Sequence, residues 1–402
     1  MLRLEDFRHI VPDDRLAEIY ARARNLYGKH IIHLNATYQG GGVAEILYSL
    51  AMLMNDVGVN AGWRILHGSQ EFFEITKSFH NALQGGKFNL SERKKRIYRM
   101  VNENFSRFTH LDHDCVIVHD PQPLALIASY KKRQPWIWRC HIDLTDPHAE
   151  LWDFLKGFVL KYDQMVVWSE KYYKDDLPVD QRLMYPAINP LSPKNASLSD
   201  KGIHDQLAKA GVPTDKPVIT QVSRLDPWKD PEGVIDVFKM VKEQVDCRLI
   251  LCYNVASDDP EGLQMYKKTQ RKANKLLETR DIVFVVGNSE KLVNAVQRFS
   301  SVIIQKSTKE GFCLAVTEAL WKGTPVVASN VGGIPAQIED GKDGFLLEPT
   351  DLQGFADRIV HLLKNPKEGE EIGRQARETV RKKFLITRLL SDYLDMLNSI
   401  MA

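Results

Sequence analysis

The sequence predicts an α/β protein made of two doubly wound, parallel-sheet domains. Three observations carry this. Short apolar segments alternate with helical patterns along the whole chain, glycine-bearing or charged turns follow several of them, and a polar, proline-bearing stretch separates two halves. At 402 residues each half is large enough for a core of its own, and 44% hydrophobic with 26% charged residues is ordinary folded protein. The strand-like segments are 30–34, 115–119, 136–140, 164–168, 218–222, 248–253, 282–285, 302–305 and 325–328. Such alternation implies helices on both sheet faces and ligands outside the strands' carboxyl ends. The break runs from residues 185–195 to 211–217, which places an N-terminal domain at 1–213 and a second at 214–380. After Phe345 the pattern reads as helical to the end. The segment 381–402 carries Phe384, Leu389, Leu390, Tyr393, Leu394 and Leu397 on one face and needs a partner surface.

The first strand leads into Gly40-Gly41-Gly42 and an amphipathic helix, a loop in which backbone can closely approach a phosphate or a sugar. It has neither the G-x-G-x-x-G spacing nor a Walker lysine, so it does not read as a nucleotide site by itself. Two further strand ends, Val118-His119-Asp120-Pro-Gln122 and Trp136-Ile-Trp-Arg139-Cys-His141-Ile-Asp143, fall on the same side of the sheet. A single histidine beside apolar residues is compatible with a structural role as well as a functional one.

In the second half, Val218-Ile-Thr-Gln-Val-Ser-Arg224-Leu-Asp-Pro-Trp-Lys229 gives a strand and a loop with two cations, before a helix starting near Pro231. Arg224 and Lys229 could meet on one anion or belong to a surface ion network. The most informative stretch is Lys309-Glu310-Gly-Phe-Cys313-Leu-Ala-Val-Thr-Glu318-Ala-Leu-Trp-Lys-Gly323. Phe312, Ala315, Val316, Ala319 and Leu320 recur at helical spacing and Gly323 ends the helix, so Glu310 lies in the turn and Glu318 within the helix. A strand-to-helix turn aims backbone N–H groups of residues 311–314 at an anion, while carboxylates accept hydrogen bonds from hydroxyls. The combination suits a ligand with phosphate in the middle and polyol at both ends, as in a nucleotide diphospho-sugar. A capped helix with solvated glutamates is the alternative for this stretch taken alone.

Several classes of function find no support. A net charge of +2 gives no reason to expect nucleic acid, and the runs Arg93-Lys-Lys-Arg96 and Lys131-Lys-Arg133 read as solvated faces. No apolar run approaches a membrane span, and the charged N-terminus does not read as a signal peptide, so a cytoplasmic protein is expected. Five cysteines without a C-x-x-C pair read as reduced core thiols, with no metal site.

Taken together and in order, the motifs over about residues 215–350 resemble the family 4 glycosyltransferases, retaining enzymes of the GT-B fold, in which two Rossmann-like domains face a central cleft and a C-terminal helix crosses back to the N-terminal domain. The resemblance implies that Glu310 contacts the donor sugar, that Glu318 binds the ribose hydroxyls, and that Arg224 and Lys229 neutralise the departing diphosphate. Gly311, Phe312, Cys313, Leu314 and Gly42 would line the donor site, and His141 would contact the donor sugar. Cys313 departs from the glycine usual at its position. Tyr38-Gln-Gly-Gly-Gly-Val-Ala-Glu-Ile-Leu with Trp138-Arg-Cys-His-Ile-Asp-Leu extends the likeness over almost the whole chain to the trehalose-synthesising members found in archaea. These join glucose from UDP-, ADP- or GDP-glucose to the anomeric hydroxyl of free glucose, reversibly. Retaining trehalose phosphorylases share the motifs and are the neighbouring alternative; an epimerase of similar fold is a more distant one. The acceptor would then be held by Gly40, Gly41, Asp120, Gln122 and Asp143. No cofactor is required on this reading, magnesium could assist, and a homodimer is possible. A two-step retaining route needs a carboxylate nucleophile. No motif plainly supplies one, which favours attack on the face that the leaving group vacates.

Overall fold

The computed structural model describes residues 2–38, 41–254, 260–286 and 289–401. Contacts divide the chain into two compact units, Met1–Ala187 with Ile386–Ala402, and Ile188–Leu385.

In the first unit six parallel strands, β1 (His30–Asn35), β2 (Asn60–Ile65), β3 (Cys115–His119), β4 (Trp136–Arg139), β5 (Gln164–Val167) and β6 (Asp180–Leu183), lie in the order β2-β1-β3-β4-β5-β6. Every residue of β3, β4 and β5 is buried, because helices cover both faces of a parallel sheet, and these strands are accordingly near-continuous apolar runs. The edges β2 and β6 are polar and partly exposed. Serine N-caps at Ser69 and Ser91 fix the starts of the helices Gln70–Leu83 and Glu92–Arg107. The helix Ile386–Ile400 packs on the helices Asp13–Ala23 and Gly42–Asp56, burying Leu389, Leu390, Tyr393, Leu394 and Leu397. Its Arg388 donates to the carbonyls of Tyr185 and Pro186, 2.9 Å each.

The second unit repeats the scheme with β7 (Val218–Arg224), β8 (Arg248–Asn254), β9 (Ile282–Val286), β10 (Val302–Gln305), β11 (Val326–Ser329) and β12 (Phe345–Leu347), all parallel, in the order β12-β11-β10-β7-β8-β9. Alternation along β8 shows the two-sided core. Leu249, Leu251 and Tyr253 join Val234, Phe238, Phe355 and Ile359, whereas Ile250 and Cys252 join Ile203, Leu207, Val212, Ala295 and Val296.

Two sequence expectations are adjusted here. The strand β12 interrupts the all-helical reading after Phe345. The units also change over at Ala187–Ile188 and Leu385–Ile386, whereas the composition break suggested 213 and the last amphipathic segment 380. The helix Asp200–Lys209 is the reason for the first difference, since Ile203 and Leu207 complete the core of the second unit. All five cysteines are free thiols. Among the described residues no helix is long and apolar enough to cross a membrane.

In each sheet the strand order reverses at one place, between β1 and β3 in the first and between β7 and β10 in the second. Chains leaving neighbouring strands there diverge and open a crevice at their carboxyl ends, where ligands of such sheets bind.

Candidate active site

At the switch point of the second unit the segments leaving β7 and β10 meet through an ion pair. Lys229 Nζ lies 2.5 Å from Glu310 Oε2, with side-chain exposures of 15% and 3%. Burial alone pushes the Glu310 carboxyl up, but the Lys229 charge and hydrogen bonds from Lys229, Ser307 and Cys313 hold it below the usual range. Lys229 is likewise opposed by burial, and the Glu310 charge raises its pKa. Glu310 Oε1 also accepts from Ser307 Oγ at 2.7 Å and Gln305 Nε2 at 3.2 Å. With the Cys313 thiol, four donors meet the capacity of about four hydrogen bonds that a carboxylate can accept.

The surrounding frame holds this pair by backbone. Gln221, fully buried on β7, donates 2.7 Å to the carbonyl of Lys229. Asp230 has φ +44°, caps the helix Pro231–Lys242 through Gly233 N at 3.0 Å, and pairs with buried Lys306. A Cβ at Gly233 would meet the Asp230 carboxylate at 2.2 Å and Lys306 Nζ at 2.6 Å. On the other side Gly332 presses on Glu310 and Gly311, and Gly333 N donates 2.8 Å to the Gly311 carbonyl. Buried Gln337 donates to the carbonyls of Phe312 and Gly333 and accepts from Thr317 Oγ1 at 2.6 Å.

Arg224 behaves differently from Lys229. It ends β7 with a side chain 71% exposed and 3.6 Å from Asp226. The two cations are therefore not presented alike: Lys229 is locked to Glu310 and Arg224 is open to solvent.

The helix Leu314–Lys322 starts from Cys313, whose φ of +67° lies in the left-handed region that favours glycine. The backbone thus accounts for a cysteine being unusual there. No side chain caps the helix; Val316 N donates 3.1 Å to the Cys313 carbonyl, and the Leu314 and Ala315 amides at the helix start suit an anion. Phe312 is buried against Phe384, ring centroids 5.6 Å apart. Glu318, 4% exposed, has Oε1 at 3.5 Å from Lys194 Nζ. One turn on, Lys322 Nζ donates to Asn195 Oδ1 at 2.9 Å and to the Glu318 carbonyl at 3.2 Å, and burial lowers its pKa to about 7. Sequence reasoning missed Lys194 because it sits in the proline-bearing stretch read as a linker. The i,i+4 spacing of Glu318 and Lys322 was a usable signal.

In the first unit, Gly40 lies outside the described residues. Gly41 is extended, with φ −158°, and an added Cβ would meet nothing within 4 Å, so the fold does not require glycine at that position. Gly42 begins the helix Gly42–Asp56. Asp120 has φ +63°, and its Oδ1 accepts from the backbone N–H of His141 at 2.7 Å; burial raises its pKa to about 7. Gln122 accepts from Asn102 through its carbonyl at 3.1 Å and is partly exposed. Asp143 turns back to accept from Thr145 N at 2.8 Å. His141 is partly exposed, and its Nε2 lies 3.0 Å from His119 Nδ1. Asp120 and His141 are therefore brought together, whereas Asp143 closes its own loop. Among the described residues no group of three or more His, Cys, Asp or Glu side chains is placed to hold a metal ion.

Residues 33–174 match the family profile described as trehalose synthase, N-terminal domain, and residues 203–379 match glycosyl transferases group 1. A curated trehalose synthase from Thermococcus litoralis is 47% identical over 99% of this chain and 97% of its own length. A trehalose phosphorylase from Grifola frondosa is 27% identical, over 82% of this chain and 51% of that protein. An α,α-trehalose-phosphate synthase (UDP-forming) from Burkholderia xenovorans, solved in complex with glucose-6-phosphate, superposes with a TM-score of 0.74 over 92% of this chain and all of that one, at 13% identity. That likeness shows the GT-B fold and nothing further.

Proposed function

The chain belongs to the trehalose synthase family of retaining glycosyltransferases, and we propose that it joins glucose from a nucleoside diphosphate glucose to the anomeric hydroxyl of free glucose, giving α,α-trehalose. The observation that carries this reading is the buried Lys229–Glu310 pair, set at the switch point of the second sheet beside an uncapped helix N-terminus. An ionised carboxylate there suits sugar hydroxyls, and the helix amides with Arg224 suit a diphosphate. The Lys229–Glu310 pair is neutral as a unit, so the net positive field for the diphosphate comes from Arg224 and the helix, and Lys229 adds N–H donors that strengthen as charge develops on the diphosphate. A sugar hydroxyl binding Glu310 displaces one of its four donors, and the weakly donating Cys313 thiol is the easiest to replace. Glu318 takes the ribose hydroxyls, with Lys194 Nζ 3.5 Å from its Oε1.

Retention with no plain carboxylate nucleophile favours attack on the vacated face. The departing diphosphate oxygen removes the acceptor proton, and the bond from the anomeric carbon to that oxygen breaks as the new glycosidic bond forms. Catalysis then rests on positioning and on charge stabilisation by Arg224, Lys229 and the amides near Gly311. His141 contacts the donor sugar. The glucose acceptor is held in the first unit by Gly40, Gly41, Asp120 and Gln122. Asp143 joins them, since a carboxylate that accepts from Thr145 N has further capacity for an acceptor hydroxyl.

The test is product analysis by NMR with UDP-, ADP- or GDP-glucose plus 13C-labelled glucose. The expected result is one symmetric α,α-linked disaccharide and one equivalent of nucleoside diphosphate, with no turnover of trehalose by inorganic phosphate. Turnover with phosphate and none with any nucleotide sugar would replace this reading by a phosphorylase.

A further inference from the structure

Three imidazoles of the first unit stand in line across neighbouring strand ends. His33 Nδ1 lies 3.0 Å from His119 Nε2, and His119 Nδ1 lies 3.0 Å from His141 Nε2. The rings of His119 and His141 are stacked with centroids 5.3 Å apart, and those of His33 and His119 are tilted at the same separation. His33 and His119 are fully buried on β1 and β3, the two strands of the first switch point, and His141 follows β4 with partial exposure.

We propose that His33 and His119 are positioning residues that fix His141 as the neutral Nδ1–H tautomer, so that it stands at the strand ends as a hydrogen-bond donor.

A neutral imidazole has one N–H and one lone pair, so the two contacts must run in the same direction along the line. In one direction His33 donates to His119 and His119 donates to His141, which leaves the proton of His141 on Nδ1. In the other direction His141 donates inward, and the last N–H falls on His33 Nε2. That atom is buried with no hydrogen-bond partner, in a ring whose centroid lies 5.7 Å from that of Tyr393. An orphaned buried N–H is rarer in proteins than an orphaned acceptor, which favours the outward direction.

Charge points the same way. Arg139, 2% exposed on β4, lies over the Tyr393 ring at 5.0 Å and donates to Met184 Sδ at 2.7 Å; among the described residues no carboxylate lies within ion-pair distance of it. Its field opposes a proton on the inner end of the line and adds to burial in keeping all three imidazoles neutral. Other ionisable groups near the line include Asp120, whose Oδ1 holds the backbone of His141, and Tyr393. The line therefore supplies a donor without supplying a charge, which suits a sugar hydroxyl better than a phosphate.

The use of that N–H on the donor sugar rests on the function proposed above; the tautomer does not. The experiment is 15N-resolved spectroscopy of the histidine side chains, with turnover and nucleoside diphosphate affinity, in wild type, His33→Asn, His33→Phe and His119→Phe. Asparagine places an amide N–H close to where Nδ1 stood, so His33→Asn should keep the wild-type His141 signals and the wild-type rate. His33→Phe removes the donor and should give His141 a mixed tautomer. His119→Phe should return His141 to the Nε2–H form favoured in water and lower kcat about tenfold, the worth of one neutral hydrogen bond. Nucleoside diphosphate affinity should be unchanged in all three. An Nε2–H or doubly protonated His141 in the wild type overturns the proposal. So does an unchanged His141 tautomer in a folded His119→Phe, or identical behaviour of His33→Asn and His33→Phe. Wild-type turnover in His141→Ala would instead overturn the role of His141 in transfer and leave the tautomer assignment standing.

Discussion

Replacing Lys229 by alanine is expected to abolish most turnover and to destabilise the fold, whereas Arg224→Ala should do only the first. Both cations face a developing diphosphate charge in the proposed mechanism, and removing such a donor lowers kcat by about 100-fold or more. Their structural settings differ. Lys229→Ala strands the Glu310 carboxylate, 3% exposed, with its opposite charge gone, and breaking a buried pair typically costs about 3–5 kcal/mol. Glu310 can relieve this only by taking up a proton, so its pKa should rise and the variant should recover part of its stability as the pH falls. In the wild type the sign is opposite. The folded-state pKa of Glu310 is depressed, so the pair stabilises the protein above the unfolded-state pKa near 4.5 and loses its contribution as the pH falls through the lower folded value. Arg224, 71% exposed, leaves nothing buried behind it. Urea midpoints and kcat for the two variants check this, and equal stability losses would mean that the buried pair is not held as described.

Gly332→Ala carries the second large effect. The residue has φ +56°, and a Cβ there would stand 2.2 Å from the Glu310 carbonyl oxygen and 2.8 Å from that of Gly311. Left-handed strain of about 1–3 kcal/mol adds to overpacking of about 1–3 kcal/mol, and the backbone displaced is that of the candidate site itself. Loss of stability and of turnover should therefore come together. Gly341→Ala is the control, since Gly341 has φ +77° but an added Cβ meets nothing within 4 Å. It should show the conformational cost alone, with turnover intact. Similar midpoints for the two variants would mean that the 330–333 loop does not press on the Glu310 turn.

The sequence made the interior of each sheet legible and left most of its margins out. Nine strands were readable because burial on one or both faces demands apolar residues. The three that escaped notice, β2, β6 and β12, are all edge strands. Asn60-Ala-Gly-Trp-Arg-Ile and Asp180-Gln-Arg-Leu carry the polar residues that edges tolerate, and β12 has only three residues. The fourth edge, β9, was legible because Ile282-Val-Phe-Val-Val is apolar. The site shows the same division. Glu310, Glu318, Arg224 and Lys229 stood out because they sit in ordered motifs at strand ends. Gln221, Ser307, Lys306 and Gln337 did not, because what marks them is a contact across the fold, as between Gln337 and Phe312. His33 read only as part of an apolar strand, and its partnership with His119 depends on β1 and β3 being neighbours, which local pattern does not reveal. Lys194 was assigned to a linker by composition and belongs to the surroundings of Glu318.

In the proposed complex a nucleoside diphosphate sits on the turn from Glu310 to Leu314 with its ribose on Glu318. Calorimetric titration of UDP, ADP and GDP into the wild type and Glu318→Gln tests it most directly. Glutamine keeps the shape of the side chain but loses the charge that ribose hydroxyls would use, and a hydrogen bond to a charged group contributes about 1.5–3 kcal/mol. At least one nucleotide is expected to bind the wild type, with its affinity falling more than tenfold in Glu318→Gln and the folded state retained. Equal affinity of a folded Glu318→Gln and the wild type, or no binding of any nucleoside diphosphate to the wild type, would contradict it.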